Sequence, residues 1–352
     1  MNLNFHKIIG ANFEDRRGLF LATANRLGAP LQNVEKDFWV SWVLDLLFNG
    51  KGRGEPRLLF KGGTSLSKAY GLINRFSEDL DITVFREDLT EEINFDILEK
   101  LSGKQQRIHM EKIKQASQHY INGKLKDRLN HHMTAVFQSI QLKFDGPFVT
   151  QDLSDNSQQT LLVNYPSVSI NSNDYIKPTV KIEAGAKSAL DPHTIITLQP
   201  YAADDIPDIS LLVENVVTIN AERTFWDQVM ILHGLRRWHD KRNELRQQGH
   251  RISRHYYDVY QLIHSSVGQK TKNDFALALD CARHAQVFFN SSDLDLLHAR
   301  KGSFALMPTP LMQQTLKRDY QAMSSMIFGK CPDFIDVLKT IEELEVQLNQ
   351  ID

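Results

Sequence analysis

The sequence predicts an α/β (α+β) protein in which a mixed sheet is followed by a helical C-terminal domain. Residues 58–85 follow the pattern of strand, glycine turn, short helix and second strand. Short runs of β-type residues, separated by turn residues, occupy much of 145–218, and beyond residue 220 apolar residues recur at helical spacing. We therefore expect a core with N-terminal helices over 1–220 and a helical domain over 221–352.

The composition is that of an ordinary soluble globular protein, with 41% hydrophobic and 24% charged residues. The formal net charge of -2 gives no overall attraction to nucleic acid, so any RNA contact depends on a local basic stretch. Cys281 and Cys331 lie far apart, which argues against a disulfide framework and fits a reducing cytoplasm. Residues 1–10 lack the hydrophobic region of a signal peptide, and no apolar run approaches membrane-spanning length.

Residues 12–27 and 30–49 are expected to form two helices beside the sheet. Apolar residues recur at helical spacing in the second, namely Val34, Phe38, Trp42 and Leu46. We interpret Phe38, Trp39 and Trp42 as core residues rather than as a platform on which bases stack.

A glycine turn follows the first predicted strand. The apolar run Leu58 to Phe60 ends just before Gly62 and Gly63, which take the backbone angles of a sharp turn readily. Thr64 or Ser65 then occupies the expected N-cap of a short helix. The free N–H groups of such a helix, together with these hydroxyls, can bind phosphate oxygens.

The second strand of this stretch carries two acidic residues. Apolar and polar positions alternate along it, with Leu80, Ile82 and Val84 between Asp79, Asp81 and Thr83. In a strand, Asp79 and Asp81 point to one face, roughly 6 to 7 Å apart. Two such carboxylates repel each other unless a divalent cation lies between them, and Mg²⁺ suits oxygen ligands and phosphates.

Each half of this pattern alone is common in structural turns and on solvated strand edges. The combination of a glycine turn with D-x-D about fifteen residues later is more specific. A Walker loop is excluded, because GGTSLSK lacks the G-x-x-x-x-G-K-S/T spacing.

Residues 91–141 have a mostly helical pattern that is rich in charge. Its basic residues include Lys112, Lys114, Lys124, Lys126 and Arg128. The stretch is either an RNA-facing helical insert or a solvated helix, and we favour the solvated helix. His131 and His132 are adjacent and so point to different sides of a helix, which makes them poor zinc ligands.

Four further strands are predicted at 160–165, 176–184, 194–198 and 211–217. In the second of these runs the apolar residues Val180, Ile182 and Ala184 share one face. Lys181 and Glu183 share the other face, where a simple surface ion pair is an alternative to a functional role.

The remainder of the chain is predicted to be helical, with Asn220 as N-cap of the first helix. The most basic stretch contains Arg236, Arg237, Lys241, Arg242, Arg246, Arg251 and Arg254, interleaved with Trp238, Tyr256 and Tyr257. Basic and aromatic residues together can follow a phosphate backbone and stack on bases. A pair of solvated helices joined by a turn at 247–250 explains the pattern equally well. Further helices are expected at 275–289, 308–326 and 334–348.

The segment KGGTSLSKAYGLINRFSEDLDI resembles the signature of the AbiEii/AbiGii-type nucleotidyltransferases, the toxin halves of bacterial type IV toxin–antitoxin and phage-defence pairs. KIEAGAK, ERTFWDQVMILHGLRRW and RHYYDVYQL resemble later elements of that family. The resemblance implies a polymerase-beta-like nucleotidyltransferase core with a mixed sheet.

The resemblance also implies site residues. The catalytic and metal-binding carboxylates would be Asp79, Asp81 and Glu183, which would hold Mg²⁺ or Mn²⁺. The nucleotide-binding residues would be Lys61, Gly62, Gly63, Thr64, Ser65, Lys68, Arg75, Ser77, Lys181, Asp227, Gln228, Arg254 and Asp258. An RNA acceptor would contact Arg236, Arg237, Lys241 and Arg242. The family commonly has lysine where Gln228 stands, so the missing charge is expected from Arg223, Lys181 or Lys68.

The activity implied is transfer of a nucleoside monophosphate from an NTP to an acceptor, with a tRNA 3′ end as the expected acceptor and a cognate antitoxin as partner. The alternatives are modification of a protein or small molecule by the same fold, through NMP transfer or phosphorylation, and a non-catalytic module that binds nucleotide or RNA.

Overall fold

The computed structural model describes residues 1–77, 79–90, 95–169, 177–246, 251–289 and 291–350. The chain forms two compact units. The first comprises Met1–Ala69, Phe76–Ile93 and Arg107–Thr218, and the second comprises Tyr70–Arg75, Asn94–Gln106 and Ile219–Asp352. The division at residue 220 inferred from sequence stays a prediction.

A seven-stranded mixed sheet organises the first unit, as expected for an α/β protein. Its strands are β1 (Leu58–Lys61), β2 (Asp79–Val84), β3 (Val149–Gln151), β4 (Thr160–Asn164), β5 (Thr179–Gly185), β6 (His193–Leu198) and β7 (Val213–Ile219). Their order is β3-β4-β5-β2-β1-β7-β6. β1 and β2 are antiparallel, whereas β2 pairs with β5 and β1 pairs with β7 in parallel. The predicted strands are confirmed within the described residues, and the short β3 is an addition to them.

Three helices precede the sheet in sequence: α1 (Asn4–Ile9), α2 (Phe13–Leu27) and α3 (Leu31–Asn49). The two predicted helices correspond to α2 and α3. Asn12 caps α2 by accepting a hydrogen bond from the Asp15 backbone N–H. Phe38, Trp39 and Trp42 are at most 1% exposed, which confirms them as core residues.

α3 buries charged residues that its apolar pattern does not reveal. The Glu35 carboxylate accepts hydrogen bonds from Ser167 Oγ and the Val168 N–H, each at 2.7 Å. Burial raises the pKa of Glu35 in spite of these bonds. Asp37 is also buried and pairs with Lys68. The helix is therefore buried on all sides, and its polar groups bind neighbouring segments through hydrogen bonds and an ion pair.

The predicted helical insert contains α5 (Phe95–Lys100), α6 (Gly103–Tyr120), a π-helical segment (Ile121–Leu125) and α7 (Lys126–Ser139). Residues 91–94 of that prediction lie outside the described residues. α6, the π segment and α7 follow one another without a break. Each contributes a buried residue to the core, for example Ile113, Leu125 and Leu129.

The second unit is helical, as predicted. Besides α5 and the start of α6, the helices of this unit in the described residues are α8 (Ala221–Arg242), α9 (Ser253–Ile263), α10 (Ser266–Thr271), α11 (Phe275–Phe288), α12 (Pro310–Met323) and α13 (Phe334–Asn349). The turn predicted at 247–250 lies outside the described residues. Asn220 occupies the N-cap of α8, although its side chain makes no capping hydrogen bond. Cys281 and Cys331 are both free thiols. No helix in the described part of the chain is long and apolar enough to cross a membrane.

Candidate active site

The turn between β1 and the short helix α4 (Gly62–Lys68) requires glycine at its first position. Gly62 has a φ of +76°, in the left-handed region that favours glycine. A β-carbon at this position would lie 2.7 Å from Cγ of Asp81 and would overlap its Oδ2. Gly62 therefore both makes the turn and leaves room for a carboxylate on β2.

The predicted N-cap of α4 is wrong, because the helix begins at Gly62 and Lys61 occupies the cap. Thr64 and Ser65 lie inside the helix and are fully buried. Ser65 Oγ donates to the Gly62 carbonyl at 2.8 Å, and Thr64 Oγ1 donates to the Asp79 carbonyl. The Ser77 hydroxyl lies 2.7 Å from Thr64 Oγ1. These hydroxyls hold α4 against the start of β2.

Asp79 and Asp81 share one face of β2, as predicted from their spacing, because the residues between and after them are buried. In the parallel pairing of β2 with β5, Asp79 lies opposite Lys181 and Asp81 lies opposite Glu183. On the other side Asp81 lies opposite Lys61 of β1. Neighbouring strands are about 4.8 Å apart, so the three acidic residues and two lysines form one continuous polar surface.

The two lysines offset part of the negative charge of this surface. Lys181 Nζ lies 2.6 Å from Glu183 Oε1, and Lys61 Nζ lies 3.6 Å from Asp81 Oδ1. Partial burial disfavours the charged form of Lys181, but Glu183 and then Asp79 outweigh this and raise the pKa of the ammonium. Lys181 and Glu183 are 34% and 42% exposed, so both can exchange these contacts for contacts with a ligand.

Among the described residues, no group of three His, Cys, Asp or Glu side chains is arranged to hold a metal ion. At this surface Glu183 and Asp81 each contact a lysine. The donors nevertheless suit Mg²⁺, since they are three carboxylates on adjacent strands and the Gly62 turn leaves space beside one of them.

Lys68 is placed differently from Lys181. Its ammonium pairs with Asp37 and lies 4.7 Å from the centre of the Tyr201 ring, and its side chain is 4% exposed. Burial raises the pKa of Asp37 although the Lys68 charge opposes this. Asp37 lies in a different helix, far from Lys68 in the sequence, so no local pattern pointed to this pair.

Two predicted residues form a buried ion pair within the second unit. Arg75 donates to Asp258 through Nε at 2.7 Å and through Nη2 at 2.8 Å. The Arg75 side chain is 7% exposed and the Asp258 side chain 1%. The segment before β2 is thus held by a bidentate contact with α9.

Gln228 and Arg223, both on α8, contact polar side chains of the second unit. Gln228 Oε1 lies 2.7 Å from His255 Nδ1. Burial, followed by the nearby charges of Arg254 and Arg75, lowers the pKa of His255, so its ring is neutral and Nδ1–H donates. Arg223 is 2% exposed and pairs with Asp280 at 2.6 Å. Of the three basic residues expected to replace the lysine at 228, Lys181 is the most exposed.

The four residues predicted to contact RNA are paired as well. The contacts are Arg236 with Asp240, Arg237 with Asp240 and Asp295, Lys241 with the Ser292 carbonyl, and Arg242 with Asp293. Asp293 and Asp295 follow α11, about fifty residues beyond the basic stretch, so the sequence pattern did not reveal them. These pairings favour the solvated-helix interpretation of α8.

The sequence model of the family described as "Nucleotidyl transferase AbiEii toxin, Type IV TA system" matches residues 45–344. The chain belongs to this family. The chain is therefore a nucleotidyltransferase and the toxin of a type IV toxin–antitoxin system, for which an antitoxin is the partner. This confirms the resemblance noted in the glycine turn and the D-x-D strand.

Among solved structures, the AbiEii chain is similar to MenT4, a nucleotidyltransferase toxin from Mycobacterium tuberculosis H37Rv. The two share 13% sequence identity with a TM-score of 0.43, and the match covers 95% of this chain and 99% of that one. No curated protein sequence matches the AbiEii chain significantly.

Proposed function

We propose that this AbiEii toxin transfers a nucleoside monophosphate from an NTP to the 3′ end of a tRNA in a metal-dependent reaction. The observation that carries the proposal is the register that sets Asp81 opposite Glu183, with Asp79 on the same face of β2. Phosphoryl transfer requires little covalent chemistry from the protein. It depends mainly on charged groups held in position around the phosphates.

Asp79, Asp81 and Glu183 would hold Mg²⁺ or Mn²⁺, which stabilises charge on the transferred phosphoryl group and lowers the pKa of the attacking hydroxyl. Lys61 and Lys181 would leave their carboxylates and neutralise the NTP phosphates, to which their ammonium groups are suited. The backbone at Gly62 and Gly63 has no side chain that would keep the phosphates away.

In the reaction, the acceptor hydroxyl oxygen forms a bond to the α-phosphorus, and the bond from that phosphorus to the oxygen bridging to the β-phosphate breaks. Pyrophosphate leaves with the electron pair of that bond. Glu183 would accept the hydroxyl proton at a carboxylate oxygen and pass it to solvent. The products are a tRNA extended by one nucleotide and pyrophosphate.

The test is incubation of the purified chain with total tRNA, Mg²⁺ and each α-labelled NTP in turn. Label should appear on tRNA, and the Asp79→Asn/Asp81→Asn variant, which keeps side-chain size, should lose it by more than about 1000-fold. Label on protein or small molecules in a lysate would move the acceptor to those classes.

Release of ADP in place of pyrophosphate would identify phosphorylation. If the chain binds nucleotide but produces no labelled product and no pyrophosphate under any condition, the catalytic proposal is overturned in favour of a binding module. The same incubation therefore separates all the alternatives that the sequence leaves open.

A further inference from the structure

Four polar residues line one side of the helical insert at intervals of four: Lys114, Gln118, Asn122 and Lys126. We call them the lysine stripe. Residues four apart lie on the same face of a helix, and the stripe runs from α6 through the π segment into α7. Single-turn π segments within α-helices occur frequently at functional sites.

The two middle residues fix where the stripe faces. Gln118 Nε2 donates to the Ser157 carbonyl at 2.7 Å, and Asn122 Nδ2 donates to the Gln158 carbonyl at 2.8 Å. Both acceptors belong to the loop between β3 and β4. The stripe therefore lies along this loop, with one lysine beyond each end of the contact.

The same loop leads directly to the carboxylate surface. The next residue, Gln159, accepts a hydrogen bond from the Ala184 N–H at 3.1 Å. Thr160, which begins β4, lies opposite Glu183 of β5. The lysine stripe is thus separated from a catalytic carboxylate by one loop and one strand of the first unit.

The charges of the stripe are available to a ligand. In the described part of the chain, the ammonium groups of Lys114 and Lys126 make no hydrogen bond or ion pair. Both are half-buried, as expected when the stem packs on the protein and the ammonium reaches water. Residues 107–139 contain six basic residues (Lys or Arg) and only two acidic residues (Asp or Glu), although the net charge of the whole chain is -2. The α8 basic residues, by contrast, are already paired.

We propose that the lysine stripe binds the phosphate backbone of the acceptor RNA and directs its 3′ end to the carboxylate surface. The inference rests on the proposed function and adds the surface on which the acceptor lies. At a rise of about 1.5 Å per residue, Lys114 and Lys126 are about 18 Å apart along the helix, so they would contact phosphates several nucleotides apart on one RNA strand. Lysine suits this task as a mobile point charge that contacts phosphate without reading sequence.

The test compares Lys114→Gln/Lys126→Gln with Lys7→Gln/Lys143→Gln in binding to fluorescent total tRNA over a range of KCl concentrations. The control removes the same charge from exposed lysines of the same unit, outside the stripe. Each lost phosphate contact reduces the slope of log K against log salt by about 0.7 to 0.9. The stripe variant should therefore have a slope shallower by about 1.5 and weaker binding, whereas the control should match the native chain.

Lys114→Arg/Lys126→Arg should restore binding, and similar thermal unfolding of all variants would show that the effect is not misfolding. Unchanged affinity and slope in the stripe variant would overturn the inference, even if tRNA is labelled by the native chain. The inference would also be overturned if the native chain did not bind tRNA, or if the stripe variant lost only its binding to the antitoxin. If tRNA binding depends on the stripe but no RNA is labelled, the proposed function is overturned, whereas the inference that the stripe binds RNA is retained.

Discussion

Gly62 and Asp81 are so close that only a hydrogen fits between the glycine Cα and the aspartate carboxylate. A β-carbon on Gly62 would overlap Oδ2 of Asp81 and lie 2.7 Å from its Cγ. Asp81 also faces Glu183 across β2 and β5. The glycine turn and the D-x-D strand are thus in direct steric contact, and the position of the Asp81 carboxylate depends on a residue without a side chain.

The first prediction concerns Gly62→Ala. The new methyl group forces the Asp81 carboxylate from its place, so we expect nucleotide transfer to fall at least about 100-fold. The left-handed φ of +76° adds a strain of about 1 kcal/mol or more. Activity and urea unfolding are measured on the same preparation.

Gly54→Ala is the matched control, because Gly54 has a φ of +80° and no atom within 4 Å of its β-carbon position. It should lose a similar amount of stability, about 1 kcal/mol, and keep its activity. Equal losses of activity in both variants would mean that strain, rather than the Asp81 carboxylate, explains the effect.

The second prediction concerns Lys68, which the sequence assigned to nucleotide binding. Because Lys68 is buried against Asp37, Lys68→Met should leave an unpaired buried carboxylate and reduce the free energy of unfolding by about 3 to 5 kcal/mol. The KM for NTP of the folded fraction should stay unchanged. Lys68→Met/Asp37→Leu should recover much of the stability, since both charges are removed together.

A raised KM for NTP in the stable double variant would place Lys68 at the nucleotide after all. Lys181→Met serves as the comparison, because its side chain is 34% exposed on the carboxylate surface. That variant should lose activity with little change in unfolding.

The third prediction concerns Gln228, where the family commonly has lysine. Gln228 is 8% exposed, and its Oε1 accepts a hydrogen bond from His255 Nδ1. Lysine has no acceptor and would add a charge near Arg75 and Arg254. Gln228→Lys should therefore lower the free energy of unfolding by about 1 to 3 kcal/mol.

Gln228→Glu, which keeps the acceptor, should be close to the native stability, as measured by urea unfolding. A Gln228→Lys variant that is as stable as the native chain and more active would show instead that this position contacts the nucleotide.

The order of strands and helices followed from the sequence because periodicity is a local property. Asp79 and Asp81 could be placed on one face of β2 from their spacing alone. The partners of Lys68 and Arg242 could not, because Asp37 and Asp293 come from distant segments and only the folded chain brings them close. The start of α4 was missed because residue type favoured Thr64 as the cap, whereas the cap is Lys61, three residues earlier, and the helix begins at the left-handed Gly62.

The last prediction concerns pH and His233, a buried histidine of α8. Its Nε2–H donates to the Asp295 carbonyl and its Nδ1 accepts from the Ala305 N–H, each at 3.1 Å. Burial lowers the pKa of His233 to about 4; the hydrogen bond to the Asp295 carbonyl opposes this lowering, and the Arg237 charge adds to it. The folded chain therefore keeps this ring neutral at a pH where the unfolded chain protonates it.

Because the folded pKa lies below the unfolded value of about 6.5, the unfolded state binds more protons, and stability falls as pH drops below about 6.5. His233 should account for a loss of about 3 kcal/mol by pH 4. Urea unfolding of the native chain and His233→Gln at a series of pH values measures this contribution. Glutamine can form both hydrogen bonds without titrating, so the variant should lose less stability on acidification; identical pH profiles would assign the acid sensitivity to other groups.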